Sequence, residues 1–164
     1  MNDYAVNYTI CPSQPEAHLY RVSCQIMQPE PMGQRVTMPA WIPGSYMVRD
    51  FARNIIDMTA RDASGVLPLR KIDKQTWVLE SDDADLTVDY RVYAFDLSVR
   101  AAYLDRMRAF FNGTSLFLAP DGSGDVAWQL MIPPPEADAC RDSVPGTTGP
   151  APDPRQGGSL SEER

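Results

Sequence analysis

Leu86-Thr87-Val88-Asp89-Tyr90-Arg91-Val92-Tyr93-Ala94-Phe95 places Leu86, Val88, Tyr90, Val92 and Ala94 at every second position. Side chains alternate sides along a strand, so this period of two predicts a β-strand with one buried and one wetter face. The same period recurs on both sides. In residues 4–11 it picks out Tyr4, Val6, Tyr8 and Ile10, and in 18–28 Tyr20, Val22, Cys24 and Ile26, with Pro12 and Pro29 closing the two segments. Residues 34–40 and 76–80 read as further strands, and 55–60 and 66–72 as a hairpin around Asp62-Ala63-Ser64-Gly65. Residues 114–119 and 126–132 complete the pattern, after an Asn112-Gly113 tight turn requiring positive φ. Residues 99–111 fit a strand through Val99, Ala101 and Tyr103, and a helical stripe through Leu104, Met107 and Phe111. About ten short strands without a long helical pattern or repeat predict an all-β fold, a two-layer sandwich or a curved saddle-like sheet.

The 164 residues divide unevenly. Residues 1–135 carry nearly all the large apolar side chains. In 136–164 the only large aliphatics are Val144 and Leu160, among prolines and glycines, and such a segment buries too little to offset its ordering entropy. The expected organisation is a β-rich domain over 1–135 and a disordered tail over 136–164.

A net charge of −7 argues against a nucleic-acid surface, which gathers Lys and Arg on one face. Arg100, Arg106 and Arg108 around Asp105 read as a solvated or ion-paired cluster. Cys11, Cys24 and Cys140, odd in number and widely spaced, suit free thiols in a reducing compartment. With no signal-peptide pattern and no apolar run of about 20 residues, the expectation is a cytoplasmic protein that is not in a membrane.

Residues 41–54, Trp-Ile-Pro-Gly-Ser-Tyr-Met-Val-Arg-Asp-Phe-Ala-Arg-Asn, are too apolar for an ordinary surface loop. Something must cover them, either their own sheet, a second domain or a ligand. Tyr46 and Arg49, a hydroxyl and a guanidinium fork beside a Pro-Gly turn, could hold a carboxylate or a peptide backbone, with structural anchoring of the loop the plainer reading. Asp50 is expected to pair with Arg49, Arg53 or a neighbouring amide. His18 is the sole histidine and has no partner imidazole, so neither a His-Glu-x-x-His helix nor a zinc site is expected. Cys24 reads as core. No P-loop, dinucleotide fingerprint or nucleophile elbow is present, and no catalytic residue is assigned.

Residues 41–55, ending Arg-Asp-Phe-Ala-Arg-Asn-Ile, closely resemble the signature stretch of the N-terminal domain of the glycyl aminopeptidase family, zinc metallopeptidases with a C-terminal PDZ domain. Val99-Arg100-Ala101-Ala102-Tyr103-Leu104-Asp105 and Phe110-Phe111-Asn112-Gly113-Thr114-Ser115-Leu116-Phe117-Leu118 resemble the same domain's later signature. The likeness covers about residues 4–142. It implies a non-catalytic β domain packed against a thermolysin-like catalytic domain, whose zinc is held by a His-Glu-x-x-His helix and a distant Glu absent from this sequence. Trp41, Tyr46, Arg49, Asp50, Phe51, Asn112 and Gly113 would then face the catalytic domain or the N-terminal end of a peptide substrate. The chain itself would hold no cofactor and be inactive alone. Residues 143–164 would be a truncation scar. The alternatives are a stand-alone sandwich that binds peptide or carbohydrate through Trp41 and Tyr46, and a small hydrolase with two carboxylates of separated pKa.

Overall fold

The computed structural model describes residues 5–81, 84–124, 127–134 and 140. The strands are β1 (Val6–Gln14), β2 (Leu19–Met27), β3 (Gln34–Thr37), β4 (Ile55–Asp62), β5 (Gly65–Leu67), β6 (Leu69–Lys71), β7 (Thr76–Leu79), β8 (Asp85–Tyr93), β9 (Ala102–Leu104), β10 (Ala109–Phe111), β11 (Ala119–Pro120) and β12 (Trp128–Met131). They form a six-stranded sheet in the order β12-β1-β2-β8-β4-β5, a four-stranded sheet β11-β3-β7-β6 and the β9-β10 hairpin. The fold is all-β. Apart from Cys140, the expected tail lies outside the described residues.

Alternation along β1, β2 and β8 decides which face is buried. Val6, Tyr8, Ile10, Val22, Cys24, Ile26, Leu86, Val88 and Tyr90 join Val36, Trp77 and Leu79 of the second sheet in one buried cluster. The opposite face carries exposed or half-buried polar groups, including Asp89 between Arg21 at 4.0 Å and Arg61 at 3.1 Å. Burying one large apolar side chain contributes about 1.5–3 kcal/mol, against about 0–1 kcal/mol for an exposed ion pair. The inner face therefore fixes the register, since a slip of one residue would turn every apolar group outward.

Several expectations change. The 66–72 segment divides at Pro68, with β5 pairing β4 and β6 pairing β7 in the other sheet. Pro68 has no N–H to continue a ladder. Residues 99–111 form a hairpin, because the Asp105 carboxylate accepts the amides of Met107 (2.7 Å) and Arg108 (2.6 Å) and turns the chain. Residues 114–119 are mostly not a strand: Gly113–Ser115 is a 3-10 turn and only Ala119–Pro120 pairs. Asn112 has an extended backbone (φ −94°), and Gly113 is not among the positive-φ glycines, so the expected tight turn is replaced by a capped 3-10 turn.

Cys11 and Cys140 are joined in a disulfide with Cα atoms 5.3 Å apart, across a sequence separation of 129. This corrects the free-thiol reading, and the argument for a reducing compartment loses that support. Cys24 is a free, buried thiol, as expected for a core residue. Among the described residues no helix is long and apolar enough to cross a membrane.

Candidate functional site

The 41–54 stretch begins where β3 ends. Met38 is buried and donates its amide to Gln75 O at 2.8 Å, after which Pro39 and Pro43 limit further pairing. Ile42 to Ser45 make a turn closed by Ser45 N–H to Ile42 O at 3.0 Å, with Gly44 at φ 82°, a backbone conformation suited to glycine. Trp41 Nε1 donates to Ser45 O at 2.8 Å, and Arg49 N–H to Ala40 O at 2.6 Å closes the loop base. A 3-10 turn, Phe51–Asn54, then buries Phe51 and Ala52 and leads directly into β4.

The stretch is thus anchored inward by Ile42, Phe51 and Ala52 and projects the rest. Tyr46 is fully exposed at 107%, Trp41 is 52% exposed, and Met47 and Val48 are exposed beside them. The Arg49 Nε atom is buried without a hydrogen-bond partner. A buried guanidinium nitrogen left unpaired is costly, so this atom is a point of local instability in the loop. Asp50 pairs with Lys74 at 2.6 Å, correcting the expected pairing with Arg49 or Arg53.

Asn112 and Gly113 are engaged by their own chain. The Asn112 carboxamide oxygen accepts the Thr114 amide at 3.1 Å, and Ser115 Oγ donates to Asn112 O at 2.7 Å. A Cβ on Gly113 would stand 3.3 Å from the Phe117 ring, so this glycine reflects close packing.

Strand register places both stretches at the same end of the fold. Gln14 pairs with Leu19, Leu19 with Tyr93, and Val92 with Ile55, directly after the Phe51–Asn54 turn. Beyond Tyr93, Phe95 bridges Tyr103, which pairs with Phe110, and Asn112 donates its amide to Ala101 O at 2.8 Å one step further out. No hydrogen bond, ion pair or ring contact links the two stretches among the described residues.

The shifted carboxyl groups, Asp62, Asp73 and Asp105, all titrate below the ordinary carboxylate range. The causes are the Ser64 and Ser81 hydroxyls at Asp62, the Gln75 amide at Asp73, and the Met107 amide with the Tyr103 hydroxyl at Asp105. A carboxyl serving as general acid at neutral pH needs the opposite shift, so these groups do not support the hydrolase alternative.

The donors for a metal do not fit either. His18, in a left-handed backbone conformation (φ 59°), donates from Nδ1 to Leu104 O at 2.6 Å and packs on the Phe95 ring at 4.0 Å. Among the described residues no group of three or more His, Cys, Asp and Glu could hold a metal ion.

A feature not anticipated from the sequence is the apolar run Tyr93, Phe95, Leu97 and Val99, all exposed. The signal was present: on the outward parity of β8 and its continuation, Thr87, Asp89 and Arg91 are polar, and every second residue from 93 to 99 is apolar.

The chain is thus an all-β body that keeps much of its 41–48 loop exposed. The model of the Peptidase M61 N-terminal domain matches residues 7–155, and the chain belongs to that family. The match runs past Asp142, so residues 143–155 lie within it and do not read as foreign to the family. A solved structure, the aminopeptidase N family protein from Idiomarina loihiensis, is 43% identical with a TM-score of 0.73 over 79% of this chain. The match spans 22% of the length of that protein. No curated protein matches the chain.

Proposed function

We propose that this chain is the non-catalytic N-terminal domain of a glycyl-aminopeptidase-like metallopeptidase, packing against a catalytic domain and shaping its cleft. The observation that carries the reading is the 41–49 loop: an exposed apolar tip at Tyr46, Met47 and Val48 above an Arg49 nitrogen that lacks an acceptor. Such a surface is half of a contact. The family match supports a peptidase body as the other half. Trp41, Tyr46, Arg49 and Asp50 would face the catalytic domain or the N-terminal end of a peptide, with Phe51 holding the loop from the core. Asn112 and Gly113 would shape the same edge by fixing the chain ahead of Phe117. Zinc would belong to the catalytic domain, since this chain has a single, already engaged histidine.

The test is an aminopeptidase assay on the purified chain with added zinc, expected to be blank. Turnover of a glycyl substrate that a chelator abolishes would overturn the reading.

A further inference from the structure

The outer face of the six-stranded sheet changes character along its length. Near the middle it is polar, with Asp89 between Arg21 and Arg61 and Arg91 clasping Asp57 through Nε at 2.9 Å. At the end where β2 and β4 begin and β8 finishes, it is apolar: Ile56, Tyr93, Phe95 and Leu97 are exposed. Phe95 belongs to a ladder of rings, His18 to Phe95 at 4.0 Å, Phe95 to Tyr103 at 5.3 Å and Tyr103 to Phe110 at 5.9 Å. The 41–49 loop leads through the Phe51–Asn54 turn into β4, whose first residue, Ile55, pairs with Val92 at the same end of the sheet.

The path of the chain leads to the same place. β12 runs parallel to β1, from Val6 opposite Trp128 to Thr9 opposite Met131, so the chain leaves β12 heading toward the Gln14 end. Cys140 is then bonded to Cys11, three positions before that end. Both constraints place Cys140, the last of the described residues, near the apolar end.

We propose that this end, comprising Ile56, Tyr93, Phe95, Leu97 and the Tyr46–Val48 loop tip, is the docking surface for the peptidase body that follows the domain in chain order. The inference rests on the reading above and deepens it, because it says which end is covered and by what. The partner surface is apolar, to match the exposed side chains at this end. Exposed apolar side chains gathered at one end of an otherwise polar face are what an interdomain contact leaves when one side is viewed alone.

The experiment grafts residues 1–140 in place of the matched segment of the Idiomarina loihiensis protein and compares the graft with the isolated chain by hydrogen exchange and calorimetry. Amides of residues 46–49 and 93–99 should exchange at least about tenfold more slowly in the graft, with residues 86–91 unchanged. Tyr46→Asp with Leu97→Asp, both at exposed positions, should split the melting transition of the graft in two while shifting that of the isolated chain little. An unsubstituted graft that is insoluble or melts in two independent steps sinks the peptidase-domain reading itself. A single-transition graft in which 93–99 exchanges as in the isolated chain, or which the double variant leaves intact, sinks only the assignment of this surface.

Discussion

The hydroxyl of Tyr90 donates a 2.7 Å hydrogen bond to the carbonyl of Leu116 and accepts one of 3.1 Å from the Leu118 amide. One fully buried ring on β8 therefore holds the segment that follows Asn112 and Gly113, and Tyr8 on β1 supports it by donating to Leu118 O at 2.5 Å. Tyr90→Phe keeps the ring but leaves a buried carbonyl and amide unpaired, which costs about 2–3 kcal/mol. The urea midpoint should fall with an unchanged slope. A loss under about 0.5 kcal/mol would show that these bonds do not hold the segment.

Alkali should destabilise the fold. Burial pushes the Tyr20 phenol and the Cys24 thiol each up to about 12, from ordinary values of 10.0 and 9.0, and raises Tyr8 and Tyr90 in the same direction. For a raised pKa the stabilising contribution is complete below the unfolded value and is lost as pH climbs toward the folded one. The window thus opens near pH 9 and extends to about 12. Each group contributes a slope of about 1.4 kcal/mol per pH unit while only the unfolded chain is ionised. Equal urea midpoints at about pH 8 and about pH 10.5 would contradict this.

The Cys11–Cys140 bond closes a loop with a sequence separation of 129. In the chain-entropy model a loop of that size is worth about 4–5 kcal/mol. Reduction should lower the melting temperature, and Cys11→Ser should lower it similarly and remove the response to reductant. Thiol titration of the oxidised chain should find one reactive group, Cys24, and only after unfolding.

At Gly44 a Cβ would meet no atom within 4 Å, so the cost of Gly44→Ala is confined to placing a side chain at φ 82°. About 1–2 kcal/mol is expected, measured by urea denaturation. A null result would mean that the turn relaxes to another type.

What the sequence revealed depended on how far apart the deciding residues lie. The alternation from Leu86 to Ala94 is local, and β8 appears where the period of two puts it. The segment at Leu116, Phe117 and Leu118 looked like a strand, being short and apolar. Its backbone is instead satisfied by tyrosines distant in sequence, and periodicity cannot report such partners. The β9-β10 hairpin was ambiguous because three-residue strands are too short to establish a period. Cys11 with Cys140 and Asp50 with Lys74 are likewise tertiary pairings. At the candidate site, the exposure of Trp41 and Tyr46 matches an apolar loop lacking cover. Phe51 turns inward because a 3-10 turn, not a strand, sets its direction.

The sulfur bridge also decides how the domain bears load. β1 lies between β12 and β2, and Cys11 sits within it. Tension applied beyond Cys140 passes through the bond into β1 and bypasses β12. It loads β1, which is held by a ladder on each side, where a pull on β12 loads an edge strand held by one. In the oxidised state the domain is a mechanical shackle, tied to whatever follows by an interior strand.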